Sequence, residues 1–282
     1  MFVQTQHRVV RGALAVVAAA GLVASVAARR ATPGVTYKLT ITTEPPDMMR
    51  SNGMRNVVLR AHGVATATQQ RIDLDAIEPN NTLLLPQDYF LMLDTGKTTQ
   101  VSPQNSIYTD HFSLAGAVGI GAVLPMQQQD MSTLTVSRVQ AKLDTIPGND
   151  VISGHPTRHF RVTVDYAVAA RGTEIPFHAV VEVWTAQLPL HLTNPFEQIA
   201  LLDSAGPMQA IFDKMSEIRA QMGGGVALKT VTTTSIDISS MGVGGGGMAP
   251  LQIVQTSEFS DMKDADIDPA QFTIPKGFSK SG

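Results

Sequence analysis

From residue 35 to residue 43 the chain alternates: Tyr37, Leu39 and Ile41 fall on one side, Lys38, Thr40 and Thr42 on the other. A period of two residues is the geometry of an extended strand with one face buried. The same rhythm returns at 57–68 and 70–77, and longer runs rich in Val, Thr and aromatic residues occupy 134–143, 158–169 and 177–186. Segments 88–93 and 97–101 flank Asp94, Thr95 and Gly96, a turn in which glycine supplies a positive φ, and the three together read as a hairpin. Residues 154–156 read as a further turn, and 230–238 with 251–259 as a second hairpin. Strands satisfy their backbone groups only beside other strands, so the pattern commits most of the chain to one β-rich body.

Two places break the rhythm. Residues 111–124 are apolar and full of Gly and Ala, with no clean period. In 207–222, Met208, Ile211, Phe212, Met215, Ile218 and Met222 recur at spacings of three and four, with Asp213, Lys214, Glu217 and Arg219 between them. That is one apolar stripe on an amphipathic helix, stopped by the glycines at 223–225. Strands, one late helix, then more strands predict a mainly β fold: a curved antiparallel sheet with the helix laid on its concave or open side. Residues 29–282 read as a single domain, with a helical insertion at about 195–223 and a glycine-dense loop at 241–250.

The first residues obey other rules. His7, Arg8 and Arg11 precede a run of apolar and small residues from 13 to 28, ending in small residues suited to signal-peptidase cleavage. The run is shorter than the ~20 residues of a spanning helix, so 1–28 read as a cleavable signal peptide and the protein as periplasmic or secreted. Arg29 and Arg30 leave an uncleaved N-terminal anchor as the alternative. The chain has no cysteine, so neither disulfides nor lipid attachment through a thiol is open to it. Removing 1–28 takes away Arg8 and Arg11 and moves the formal charge from −3 to −5. A mildly acidic chain without a basic stripe has no means of releasing phosphate counterions, which sets nucleic acid aside as a partner.

Catalytic motifs fail on their own chemistry. Asp94-Thr95-Gly96 resembles the loop of aspartic proteases, but those need a second such loop to bring a carboxylate within about 3 Å, and only one is present. His155 and His159 have a zinc-helix spacing, yet Pro156 and the following β-branched run put His159 on a strand, where residues four apart lie about 13 Å apart. Asp264, Asp266 and Asp268 open like a calcium loop, but Pro269 stands where a glycine must turn and Pro275 where a bidentate glutamate must bind. Asp268 instead reads as the cap of a short turn with Pro269 at its first position. No serine sits in a nucleophile elbow, and residues 116–121 lack the spacing of a dinucleotide site. The 13 methionines are dispersed rather than clustered as copper ligands. The sequence therefore offers no catalytic residue, no metal ligand and no cofactor.

One succession of motifs resembles a known pattern. A Tyr-x-apolar-x-apolar-Asp-x-Gly-Lys hairpin (89–97) is followed by Ser102 to Tyr108, a Gly154 to Val162 strand, Val183-Trp184-Thr185-Ala186 and a closing Phe272 to Phe278 segment. Together these resemble an uncharacterised bacterial domain-of-unknown-function family of exported proteins, similar in layout to the half-open β-barrels of lipoprotein carriers. The chain departs from that pattern after Gly154, where family members often carry a cysteine. The resemblance implies a half-open barrel with one or two helices against its concave side, an extracytoplasmic location and no settled active site. The expected function is non-catalytic: binding or carriage of a lipid or other apolar ligand against Phe160, Tyr166, Trp184 and the helix residues Met208, Phe212 and Met215. The alternative is an envelope scaffold with a filled core that meets a partner protein, and a metal-dependent or aspartic-type hydrolase stands last.

Overall fold

The computed structural model describes residues 31–51, 53–79, 87–93, 98–110, 135–170, 173–196, 209–237, 239 and 249–281. Residues 1–28, read as a signal peptide, residues 94–96, read as a turn, residues 111–124 and the glycine-dense 241–248 lie outside the described residues. In chain order come β1 (Thr32–Glu44), a short helix α1 (Asp47–Ser51), β2 (Val57–Ala65), β3 (Gln69–Glu78), β4 (Tyr89–Leu93), β5 (Thr98–Ser102) and β6 (Ile107–Asp110). Then follow β7 (Thr135–Ile146), β8 (Val151–Ile152), β9 (His155–Pro156), β10 (Arg158–Ala170) and β11 (Thr173–Ala186). After the helix α2 (Gln209–Gln221) come β12 (Val226–Ile236), β13 (Leu251–Ile267), a 3-10 turn (Pro269–Phe272) and β14 (Ser279–Lys280).

All but β8 and β9 join one 12-stranded sheet, ordered β14-β6-β5-β4-β3-β2-β1-β13-β12-β11-β10-β7. Two meanders thus grow outward from a central ladder in which β1 pairs with β13 from Thr32↔Ile267 to Glu44↔Val254. The sheet does not close: it ends in β7 on one side and β14 on the other. It is antiparallel throughout except at β14, which pairs parallel with β6, so the sheet is mixed rather than purely antiparallel. The expected turn at 154–156 is also displaced. His155 and Pro156 are the strand β9, and the chain reverses at Ser153 and Gly154, both at positive φ.

Register breaks curve the sheet. They lie opposite Thr36–Lys38 of β1, Arg60–Ala61 of β2, Asp165–Ala167 of β10 and Trp184–Thr185 of β11, and the extra residue is in each case on the partner strand: β13, β3, β7 and β12. Each extra residue bends its strand and raises the local twist. Residues directly paired across strands share a face, so the register assigns the inside. Leu39, Ile41, Leu59, Ala61, Ile72 and Phe90 lie on it, all at 2% exposure or less, and they form the main core with Phe259 and Leu228. Tyr37 belongs there too. Its ring crosses Gly63, where a Cβ would stand 2.6 Å from the phenol oxygen, so only glycine fits under it.

After β11 the chain crosses this concave face as a strap. Leu192 and Phe196 pack into the main core, Phe196 edge-on against Phe90 with ring centroids 5.5 Å apart. Gln70 ties the strap down: its Oε1 accepts from the Thr193 amide at 2.7 Å, and its Nε2 donates to the Tyr37 hydroxyl at 2.8 Å. On the opposite, convex face, Ile274 and Phe278 of the C-terminal segment pack on Tyr89, Leu91 and Val101. Asp268 starts that segment as expected, its carboxylate accepting from the Ala270 amide at 2.8 Å.

Candidate ligand-binding face

The helix α2 lies on the same concave face as the strap, but over the other half of the sheet. Its apolar stripe dictates this: Ile218 and Met222 are buried in a second cluster with Phe160, Val162 and Val164 of β10 and Ala179 and Val183 of β11. Asp213, Glu217 and Arg219 face water, as the helical period requires. Gly223, Gly224 and Gly225 all take positive φ and end the helix, which an L side chain would do only under strain. The Arg158 guanidinium holds the last turn, donating to the Met222 carbonyl at 3.2 Å while lying 4.7 Å from the Phe160 ring centre.

Both clusters carry a half-buried margin: Val57, Ile152, Leu188, Leu190 and Met262 on the main core, and Ala141, Leu143, Tyr166, Val181, Met215 and Ala227 on the second. The strap crosses the first and a single helix the second. Tyr166 stacks on Phe177 at 4.9 Å, and burial pushes its phenol up to about 12. Burial also raises the Tyr37 phenol, against the hydrogen bond from Gln70.

Between the clusters, at the centre of the concave face, the lining turns polar without becoming charged. Thr230 pairs with Ser257 and Thr232 with Gln255, while Gln255 in turn pairs with Thr43 of β1. Thr234 extends the row along β12. Thr43, Thr230, Thr234 and Ser257 are buried, and Gln255 donates to the Thr43 hydroxyl at 3.3 Å. No motif search finds such a patch, because threonine is also an ordinary strand former.

Of the residues expected to line a ligand site, Phe160, Tyr166 and Met215 come together in the second cluster. Phe212 lies in α2, and Met208 falls outside the described residues. Trp184 is not among them. It pairs with His159 and Lys229 on the convex face, one residue out of phase with Val183. There its ring stacks on His159 at 4.1 Å and its Nε1 donates to Asp150 at 2.8 Å, within a surface ladder of Arg161–Glu182 and Lys229–Glu258 pairs. His155 lies on β9 and His159 on β10, and among the described residues no group of three or more His, Asp or Glu side chains is placed to hold a metal ion. No described helix is long and apolar enough to cross a membrane. No family model matches the chain, and no curated protein matches it at a significant level of similarity.

Proposed function

We propose that the protein is a non-catalytic, extracytoplasmic binding or carrier protein for a lipid or other apolar ligand, held on the concave face under α2. The observation that supports this reading most is the apolar lining under α2. Leu143, Tyr166, Val181 and Met215 stay half-buried there beside a single helix, a margin of the kind that an apolar ligand would cover. Methionine at that margin suits it, since a thioether side chain adapts to varied apolar shapes. The removable leader read from residues 1–28 and the layout of lipoprotein carriers point to the cell envelope as the place of work.

Native mass spectrometry of the protein purified from a bacterial periplasm without detergent tests this. The expected result is an added mass that organic solvent extracts as a lipid, and that Met215→Asp abolishes with the circular dichroism spectrum unchanged. A clean ligand-free mass would refute the carrier. The envelope-scaffold reading would then gain, because β7 ends the sheet with one paired edge among the described residues and offers the other to a partner strand.

A further inference from the structure

Granting the carrier reading, we infer that the ligand is a single-chain anionic amphiphile, its acid group on Arg158 and its acyl chain laid under α2 towards Tyr166. The register carries the argument. On β10 the inward positions run Arg158, Phe160, Val162, Val164 and Tyr166. Opposite Phe160, Val162 and Val164, in that order, stand Thr145, Leu143 and Ala141 on β7 and Val183, Val181 and Ala179 on β11, all uncharged. Tyr166 lies opposite Phe177 and stacks on it. This apolar row thus carries one charge, a cation, at one end. A lining of that make-up orients a ligand by its head and holds it by its chain.

Arg158 is exposed, so a ligand can reach it. Its one hydrogen bond is the donation to the Met222 carbonyl, and among the described residues no carboxylate pairs with it. That bond fixes the guanidinium at the end of α2 and uses one of its five N–H donors. The remaining donors can take a carboxylate, which a guanidinium holds through two parallel bonds. Thr185 is the partner of Arg158 on β11 and shares its face. It is 5% exposed, and its hydroxyl has no hydrogen-bond partner. A buried hydroxyl left unpaired costs free energy that an acid oxygen beside the guanidinium would recover. Directly opposite residues have Cβ atoms about 5 Å apart, so one acid group can meet both. From Phe160 to Tyr166 the row advances along about 20 Å of strand. That matches an extended acyl chain of about 16 carbons, each adding about 1.3 Å along the zigzag of C–C bonds.

Oleate and methyl oleate share a chain and differ in the acid group. They test this on the protein purified from a periplasm and freed of lipid, at neutral pH and below their micelle concentrations. Competition against a fluorescent fatty ester gives the affinities. Oleate should bind at least about tenfold more tightly than methyl oleate. Arg158→Gln should weaken oleate by about 10- to 100-fold and leave methyl oleate within about twofold. Thr185→Val keeps both the strand shape and Arg158, and it should weaken oleate by about three- to tenfold with no loss of Tm. Methyl oleate binding to wild type as tightly as oleate overturns the inference while the carrier reading stands. So does unchanged oleate affinity in both variants, or an equal loss of both probes in Arg158→Gln. Failure of both probes to bind wild type overturns the inference and the carrier reading together.

Discussion

Replacing Gln70 by leucine should loosen the strap and measure what a single buried amide contributes to the concave face. Gln70 is fully buried, accepts from the Thr193 amide at 2.7 Å and donates to the Tyr37 hydroxyl at 2.8 Å. Leucine fills nearly the same volume, so no large cavity opens. The Thr193 N–H is left without its acceptor, at about 1–3 kcal/mol, and Tyr37 loses an incoming donor, at about 0.5–1.5 kcal/mol. Tyr37 keeps its own bond to the Arg71 carbonyl at 3.0 Å, which limits the damage on that side. The sum is about 3 kcal/mol, or a fall in Tm of about 6–12 °C for a domain of this size. Gln70→Glu sharpens the test. A glutamate can still accept from Thr193 but can donate to Tyr37 only when protonated, and burial also favours its neutral form. Its folded pKa is therefore raised, so its stability contribution is present below the unfolded value and lost as pH rises through the folded one. Thermal unfolding by circular dichroism and hydrogen exchange at Thr193 read both effects. A Tm within about 2 °C of wild type for Gln70→Leu, or unchanged exchange at Thr193, would refute the tie.

Trp184→Phe should leave ligand affinity unchanged, because the ring lies on the convex face. Since Trp184 is the only tryptophan, ligand titration should not alter the protein's tryptophan emission, and a saturating change would contradict its placement. Tyr166 should make the fold alkali-sensitive. Its phenol titrates near 10 when unfolded and about 12 when folded, so its contribution is complete below pH 10 and lost as pH rises from 10 to 12. Urea unfolding at each pH should show wild type losing roughly 2–3 kcal/mol relative to Tyr166→Phe over that interval, and parallel curves for the two proteins would remove the buried phenol from the account.

Much of this fold is legible in the sequence because parity is a local signal. The inward set Tyr37, Leu39 and Ile41 needs only its own strand, and the stripe of α2 needs only one helical turn after another. Parity also places Trp184: Glu182, two residues earlier, lies on the outer face, and Trp184 shares it. An aromatic among valines invites the opposite reading, yet its size finds cover on the outside against His159. The hydroxyl patch is half legible. Leu228 and Ile236 bracket Thr230, Thr232 and Thr234 at the same parity, which turns the threonines inward. That Ser257, Gln255 and Thr43 meet them depends on pairing across the sheet between distant segments, which no local pattern specifies. The same holds for Gln70, whose partners lie 33 and 123 residues away.

A long sheet that curls without closing has an inside, and something must fill it. Here the chain fills one half with its own strap, held by a polar tie and by Leu192 and Phe196, and covers the other with one helix. The two clusters share no residue: the first draws on Ala186, Val226 and Leu228, the second on Val183 and Ala227. The central ladder of β1 and β13 contributes to the first alone, through Leu39, Ile41 and Phe259. A ligand that displaces α2 therefore gives up the contacts of Ile218 and Met222 but leaves the ladder, the strap and the main core in place. In a chain without disulfides, where burial must supply the stability, that separation is what the proposed carrier needs: contacts under α2 that can be given up without those of the main core.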